Sequence, residues 1–221
     1  MVLELSALIS SVLSTSDSHR VRARTLAKVS GKIIATTPAV GFITQIMTRC
    51  MFSALNEKLN WNNNLNIYHK QDCIRELMFW KLNISNVKPV FLLEKESAYD
   101  IFTDASDIGA AGFIKNSHLV MFKTWLKLEA GKSSTWREIK AVELCLLSFK
   151  DVLMGSSVTC YTDSQNVASI ILKGSKVHEL QSLALTIFEF CAKNNTEIHT
   201  VWIPIKRSEY TSRLFKSNYR Y

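Results

Sequence analysis

At 221 residues, with 47% hydrophobic and 21% charged side chains, the chain has the make-up of a folded globular protein with room for one large or two small domains, which excludes a disordered tail or linker. Its formal charge of +8 favours a polyanionic partner, and its five cysteines (Cys50, Cys73, Cys145, Cys160, Cys191), scattered without CxxC spacing, argue for reduced thiols and against a zinc site or disulfide framework. No apolar run reaches the roughly 18–20 residues that span a bilayer, and Glu4 stands where a secretory signal would carry bases. An intracellular protein of the cytoplasm or nucleus, with no signal peptide or transmembrane segment, is expected.

Leu5, Leu8, Ile9, Val12 and Leu13 recur at steps of three and four, the spacing of an amphipathic helix, which the polar run from Ser14 to Ser18 ends. A second helix is predicted around Val21, Leu26 and Val29, with Gly31 weakening its continuity. Arg20, Arg24, Lys28 and Lys32 stand at four-residue steps and would form one stripe on it, a pattern that suits phosphates as well as a solvated face. Thr37 as N-cap with Pro38 behind it predicts a third helix carrying Val40, Ile43, Ile46, Met47, Cys50 and Met51 inward. The run Asn60 to Asn64 is a turn, and Asp72 is the expected cap of a helix through Ile74, Leu77, Met78, Trp80 and Leu82. Residues 1–88 therefore read as helix throughout and hold no cluster of acids. Pro89 marks the change of style, and residues 89–98 read as a linker.

From Tyr99 the periodicity becomes that of strands. Residues 100–104 and 109–115 form the first two, and the Asn116-Ser117 turn leads to a third over 118–125. A long helix follows with Ile139, Val142, Leu146 and Phe149 on one face; Thr135 is its predicted N-cap, with Glu138 reaching back as a capping box. Residues 158–163 are a strand ending in Asp163. A short helix opens at Ser164 or Gln165 and stops at Gly174, another covers Val177 to Lys193, and Ile198 to Ile203 is the last strand, closed by Pro204. This order is that of an α/β fold, a mixed five-stranded sheet flanked by helices. Trp202 is expected in the core and His199 as a satisfied sheet histidine.

Asp104 and Asp163 both end strands. If those strands lie parallel and adjacent, the two acids emerge at one edge of the sheet, and Glu138 reaches them only if its helix crosses the sheet face with its start near that edge. Clustered carboxylates repel one another unless divalent cations relieve them, and oxygen ligands suit magnesium or manganese. Two such ions about 4 Å apart support phosphodiester hydrolysis.

Four blocks in this order, Phe102-Thr103-Asp104-Ala105-Ser106 with Gly109 and Gly112, Ser133 to Val142, Tyr161-Thr162-Asp163-Ser164-Gln165-Asn166-Val167, and Val201-Trp202-Ile203-Pro204, resemble the ribonuclease H domain of retroelement reverse transcriptases. The flavour is similar to that of DIRS-like retrotransposons, in which the segment joining polymerase to ribonuclease H resembles Leu26 to Ile34 and Glu76 to Trp80. The resemblance implies a ribonuclease H-like domain over residues 99–215, preceded by a mainly helical connection segment over 1–88 and the 89–98 linker, and followed by a basic tail over 216–221. It implies a metal-dependent endonuclease that cuts the RNA strand of an RNA–DNA hybrid, with no small-molecule cofactor. Asp104, Glu138 and Asp163 would be the catalytic metal ligands, for Mg2+ or Mn2+, and Ser106, Ser134 and Asn166 would approach the nucleic-acid backbone.

Two departures bear on activity. Ser212 stands where the family has its fourth acidic ligand, Ser208 where it has an Asn, and Glu209 is the one carboxylate nearby, so the resemblance implies an impaired site. No Asp-Asp pair occurs anywhere, so polymerase activity is not expected of this chain. The alternative readings are a catalytically inactive nucleic-acid-binding remnant and a decayed protein-interaction domain.

Overall fold

The computed structural model describes residues 2–14, 20–67, 70–85 and 96–204, and the chain divides into two compact units, Met1–Leu92 and Leu93–Tyr221. Most of the expected linker, the basic tail, and Ser208, Glu209 and Ser212 lie outside the described residues.

In the first unit α1 (Val2–Ser14) buries Leu5, Ile9 and Val12, as its spacing predicts. The all-helix expectation fails at the next element. Arg20–Arg22 is a strand, β1, in which Val21 is buried between two exposed arginines; this period of two outweighs the four-residue step of the bases. Its partner β2 (Asn64–Asn66) shows the same alternation, and the two pair antiparallel with Val21 opposite Leu65. The helix proper, α2 (Ala23–Ile34), starts after Arg22 and runs unbroken through Gly31, so Arg20 is off the stripe that holds Arg24, Lys28 and Lys32. The predicted third helix is three short ones: α3 (Thr37–Val40), α4 (Ile43–Ile46) and α5 (Arg49–Asn56). Gly41, at φ 83°, turns the chain between the first two, and Thr36 rather than Thr37 stands at the N-cap. Helix α6 (Gln71–Asn83) is capped at Lys70, with Asp72 inside its first turn, where its charge complements the helix dipole; Leu82 and Met78 point outward. Among the described residues no helix is long and apolar enough to cross a membrane.

The second unit begins with β3 (Tyr99–Ala105), β4 (Gly109–Ile114) and β5 (Val120–Thr124), an antiparallel meander. The short α7 (Lys127–Ala130) leads to α8 (Ser134–Ser148) and α9 (Lys150–Leu153). Then come β6 (Ser157–Thr162), α10 (Gln165–Lys173), α11 (His178–Lys193) and β7 (Glu197–Trp202). The sheet order is β5-β4-β3-β6-β7, with β6 parallel to both β3 and β7. Ile101, Val158 and Cys160 from the sheet meet Ile139, Val142 and Leu146 of α8 and Ile187 of α11 in one core.

Gly112 sets how closely α8 lies on that sheet. A Cβ there would fall 2.1 Å from the Cys145 sulfur and 2.8 Å from the Phe102 carbonyl oxygen, so only glycine lets the helix rest on β4. All five cysteines are free thiols, four of them buried.

Candidate metal centre

Strand β3 runs beside β6 in parallel register, with Phe102 opposite Tyr161. Carried two residues further, that register sets Asp104 level with Asp163 at the carboxyl ends of the two strands. Helix α8 packs across β3 and β4 with its start toward the same edge. One carboxylate oxygen from each of Asp104, Glu138 and Asp163 then lies within 4.8 Å of the others. The condition that the sequence left open, a helix crossing the sheet face with its beginning near the acids, is met.

Glu138 is not a capping-box acid. The N-cap of α8 is Ser133, whose hydroxyl accepts the Trp136 N–H at 3.2 Å, and Glu138 is the fifth residue of the helix. Ser133 wins the cap over Thr135 because its extended backbone (ψ 155°) turns the hydroxyl onto the first open N–H groups. The shift frees Glu138 to point at the sheet, where its Oε1 accepts the Ala105 N–H at 3.3 Å. Its Oε2 is buried and has no hydrogen-bond partner among the described residues. Burial, reinforced by repulsion from Asp104 and then Asp163, pushes the Glu138 carboxyl up to about 8, against the opposing pull of the Ala105 N–H and the Arg137 guanidinium.

The neighbours of Glu138 pin the loop after β3. Arg137 donates to Asp107 at 2.5 Å and to the Ala130 carbonyl at 3.1 Å. Ser106, expected to face nucleic acid, is exposed, and its hydroxyl organises the tight turn by accepting from the N–H groups of Ile108 and Gly109. Ser134 is the first residue of α8 and Asn166 the second of α10, both exposed.

Two expectations for β7 need correction. Trp202 is 47% exposed rather than core: it ends an edge strand, and its indole N–H donates to the Asp163 carbonyl oxygen at 3.0 Å. The Nε2 of His199 stands 3.6 Å from Glu197 and makes no hydrogen bond among the described residues, so this ring nitrogen is not satisfied. The tie from Trp202 holds the backbone of Asp163 from the neighbouring strand. Strand alternation places Trp202 on the Ile198 and Thr200 face, and only its position at the last residue of an edge strand signals the exposure. Trp202→Phe, which keeps the ring and loses the donor, is expected to weaken Mn2+ binding about tenfold by calorimetry, as the loss of a group that orients a ligand does.

Among the solved structures to which this chain is similar are two ribonucleases H1 and a viral reverse transcriptase. RNase H1 from the halophilic archaeon Halobacterium salinarum NRC-1 aligns at 15% identity and a TM-score of 0.41, over 50% of this chain and 89% of its own. LC11-RNase H1 in complex with an RNA/DNA hybrid aligns at 18% and 0.41, over 52% and 92%. The foamy viral protease-reverse transcriptase in complex with dsDNA aligns at 10% and 0.37, over 90% of this chain and 41% of that one. No protein-family model and no curated protein matches the chain. The sheet itself settles the architecture, since a meander is followed by two parallel strands added at its first strand, with α8 before the first of them and α10 and α11 between the two. The second unit has a ribonuclease H-like fold. In this ribonuclease H-like unit the three acids stand at the carboxyl edge of β3 and β6, where an open α/β sheet offers its binding crevice.

Proposed function

We propose that the ribonuclease H-like unit is a divalent-metal nuclease that cuts the RNA strand of RNA–DNA hybrids, as part of a retroelement product. The observation that carries this reading is the gathering of three carboxylates from three separate elements, with one buried oxygen of Glu138 left unbonded. Such an arrangement is unfavourable for the bare protein and becomes favourable when a cation lies between the oxygens. An all-oxygen donor set without histidine or cysteine fits Mg2+ or Mn2+ and not a zinc site.

Bound at this edge, the ions would supply an activated water and charge stabilisation at the scissile phosphodiester. The chain's own groups do the rest. Asp104 and Asp163 are presented by paired strands, Glu138 is anchored by the Ala105 N–H, and Arg137 clamps the Asp107 turn beside them. Ser134 and Asn166 offer exposed hydroxyl and amide groups to the nucleic-acid backbone and the 2′-hydroxyl that distinguishes RNA from DNA, while Ser106, whose hydroxyl also donates to the Gly109 carbonyl, holds the exposed turn beside them in shape.

Ser212 in place of the fourth acid leaves the site one carboxylate short, which lowers the expected rate. The test is a hybrid labelled on each strand, incubated with the chain and Mg2+ or Mn2+. Shortened RNA beside intact DNA is expected, with Ser212→Asp cutting at least about tenfold faster, since about 1.4 kcal/mol of transition-state stabilisation suffices for that. Salt-sensitive binding of the hybrid with no cleavage by either protein would replace this reading with that of an inactive binding remnant.

A further inference from the structure

Net charge is concentrated in the first unit: residues 1–92 carry eleven Lys and Arg against five Asp and Glu, a net +6 of the chain's +8. The antiparallel ribbon of β1 and β2 arranges part of that charge. Its outer positions are Arg20 opposite Asn66 and Arg22 opposite Asn64, all four exposed, while Val21 and Leu65 form the buried underside. The chain turns straight from this ribbon into α2, where Arg24 is exposed, and backbone bonds from Ala23 to Asn63 and from Arg24 to Trp61 stitch the helix start to the asparagine-rich loop. Trp61 is 50% exposed and has the Lys58 ammonium 4.5 Å from its ring.

Two other bases of this unit are paired with acids. Lys32 pairs with Glu4, and Lys70 with Glu57. Arg20, Arg22 and Arg24 make no ion pair among the described residues. Arg20 and Arg22 share the exposed face of β1 and Arg24 follows at the start of α2; with no ion pair among the described residues, these like charges do not hold the ribbon, whose pairing is carried by backbone bonds and the buried Val21–Leu65 pair. They suit an external polyanion. What surrounds them narrows its class: guanidinium groups take phosphates in a fork geometry, side-chain amides read base edges, and an exposed indole offers a face to a base.

We propose that the outer face of the β1–β2 ribbon, with Arg24 and Trp61 beside it, is a nucleic-acid-binding surface separate from the acid cluster. It shares only the class of ligand with the nuclease reading and stands without it.

The experiment uses the full chain and a labelled RNA–DNA hybrid in EDTA, so that binding is read without cleavage. The Arg20→Gln/Arg22→Gln/Arg24→Gln variant should bind at least about tenfold more weakly at 0.1 M salt, with the slope of log affinity against log salt reduced by about 2 to 3, or roughly 0.9 for each phosphate no longer neutralised. The matched variant Lys150→Gln/Lys176→Gln/Lys193→Gln removes three exposed charges from the other unit and should keep most of that slope. Equal losses in the two variants would mean general basicity and overturn the proposal, as would unchanged affinity in the first. Cleavage in Mg2+ at saturating protein is read in parallel. If it persists while the arginine variant binds like wild type, this inference alone fails; if it is absent while ribbon-dependent binding holds, the nuclease reading alone fails.

Discussion

Asp104→Asn is expected to abolish cleavage of the hybrid, by about a thousandfold or more, while leaving the metal-free protein as stable as wild type or more so. The first effect follows from the loss of a charged oxygen donor: a thousandfold corresponds to about 4 kcal/mol of transition-state stabilisation at 1.36 kcal/mol per decade. The second follows from the same geometry read without a cation. Two ionised carboxylates at the 4.8 Å separation that bounds this cluster repel by about 3–4 kcal/mol at an effective dielectric of about 20, and Glu138, buried close to both aspartates, is pushed toward its protonated form. Neutralising Asp104 relieves part of that repulsion without changing shape. Two measurements separate these effects. Calorimetric titration with Mn2+ should show wild-type heat lost in the variant, and thermal melting in EDTA should show an equal or higher midpoint. Addition of Mg2+ should raise the wild-type midpoint and leave the variant's unmoved, because a ligand stabilises only the folded state that binds it. Equal cutting by the variant, or an equal metal response, would remove Asp104 from the site.

The parts of this centre that local pattern dictates were legible before the structure. Strand-type runs over 100–104 and 158–163 announce β3 and β6 to within a residue or two at each end, Ile139, Val142 and Leu146 announce the buried face of α8, and Ser164 with Gly174 brackets α10. Strand-end acids then follow by counting. What was not legible depends on neighbours distant in the chain. Thr135 and Ser133 are both good caps, and the choice between them is made by the path of the chain out of the Lys127–Ala130 turn, which the Arg137 bond to Ala130 helps hold. Strands of three residues pairing Arg20 with Asn66 leave too short an alternation to outweigh a four-residue charge pattern. Trp202 has the composition of core but the position of an edge. The break of the 37–51 segment into three helices follows from Gly41 and from Thr48, whose φ of −138° is outside the helical range.

Glu76 was invisible for the same reason, and it carries the largest stability effect expected in the first unit. This acid of α6 is fully buried, and its two oxygens accept the N–H groups of Cys50 and Met51, each at 2.8 Å, in the first turn of α5. Thr48, at the N-cap, provides no side-chain bond there, so a carboxylate from another helix caps α5 in its place. Glu76→Ala strands two buried N–H groups and leaves a cavity, at a cost of about 3 kcal/mol or more. The wild type itself should depend on pH. Burial raises the Glu76 carboxyl to about 7 although both N–H donors pull it down. The unfolded chain releases that proton at the ordinary carboxylate value near 4.5, so between about 4.5 and 7 the folded state binds more protons than the unfolded one. Stability of the first unit therefore falls as pH rises through this window, by on the order of 3 kcal/mol, and levels off above it. Hydrogen exchange over residues 47–56 reads this directly, through the protection of the Cys50 and Met51 amides at pH 5 and pH 8 after correction for intrinsic rates. Glu76→Gln keeps one acceptor and cannot ionise; its protection should be lower than that of wild type at pH 5 and the same at both values. Protection in the wild type that rises with pH would contradict the sign and remove Glu76 as the controlling group.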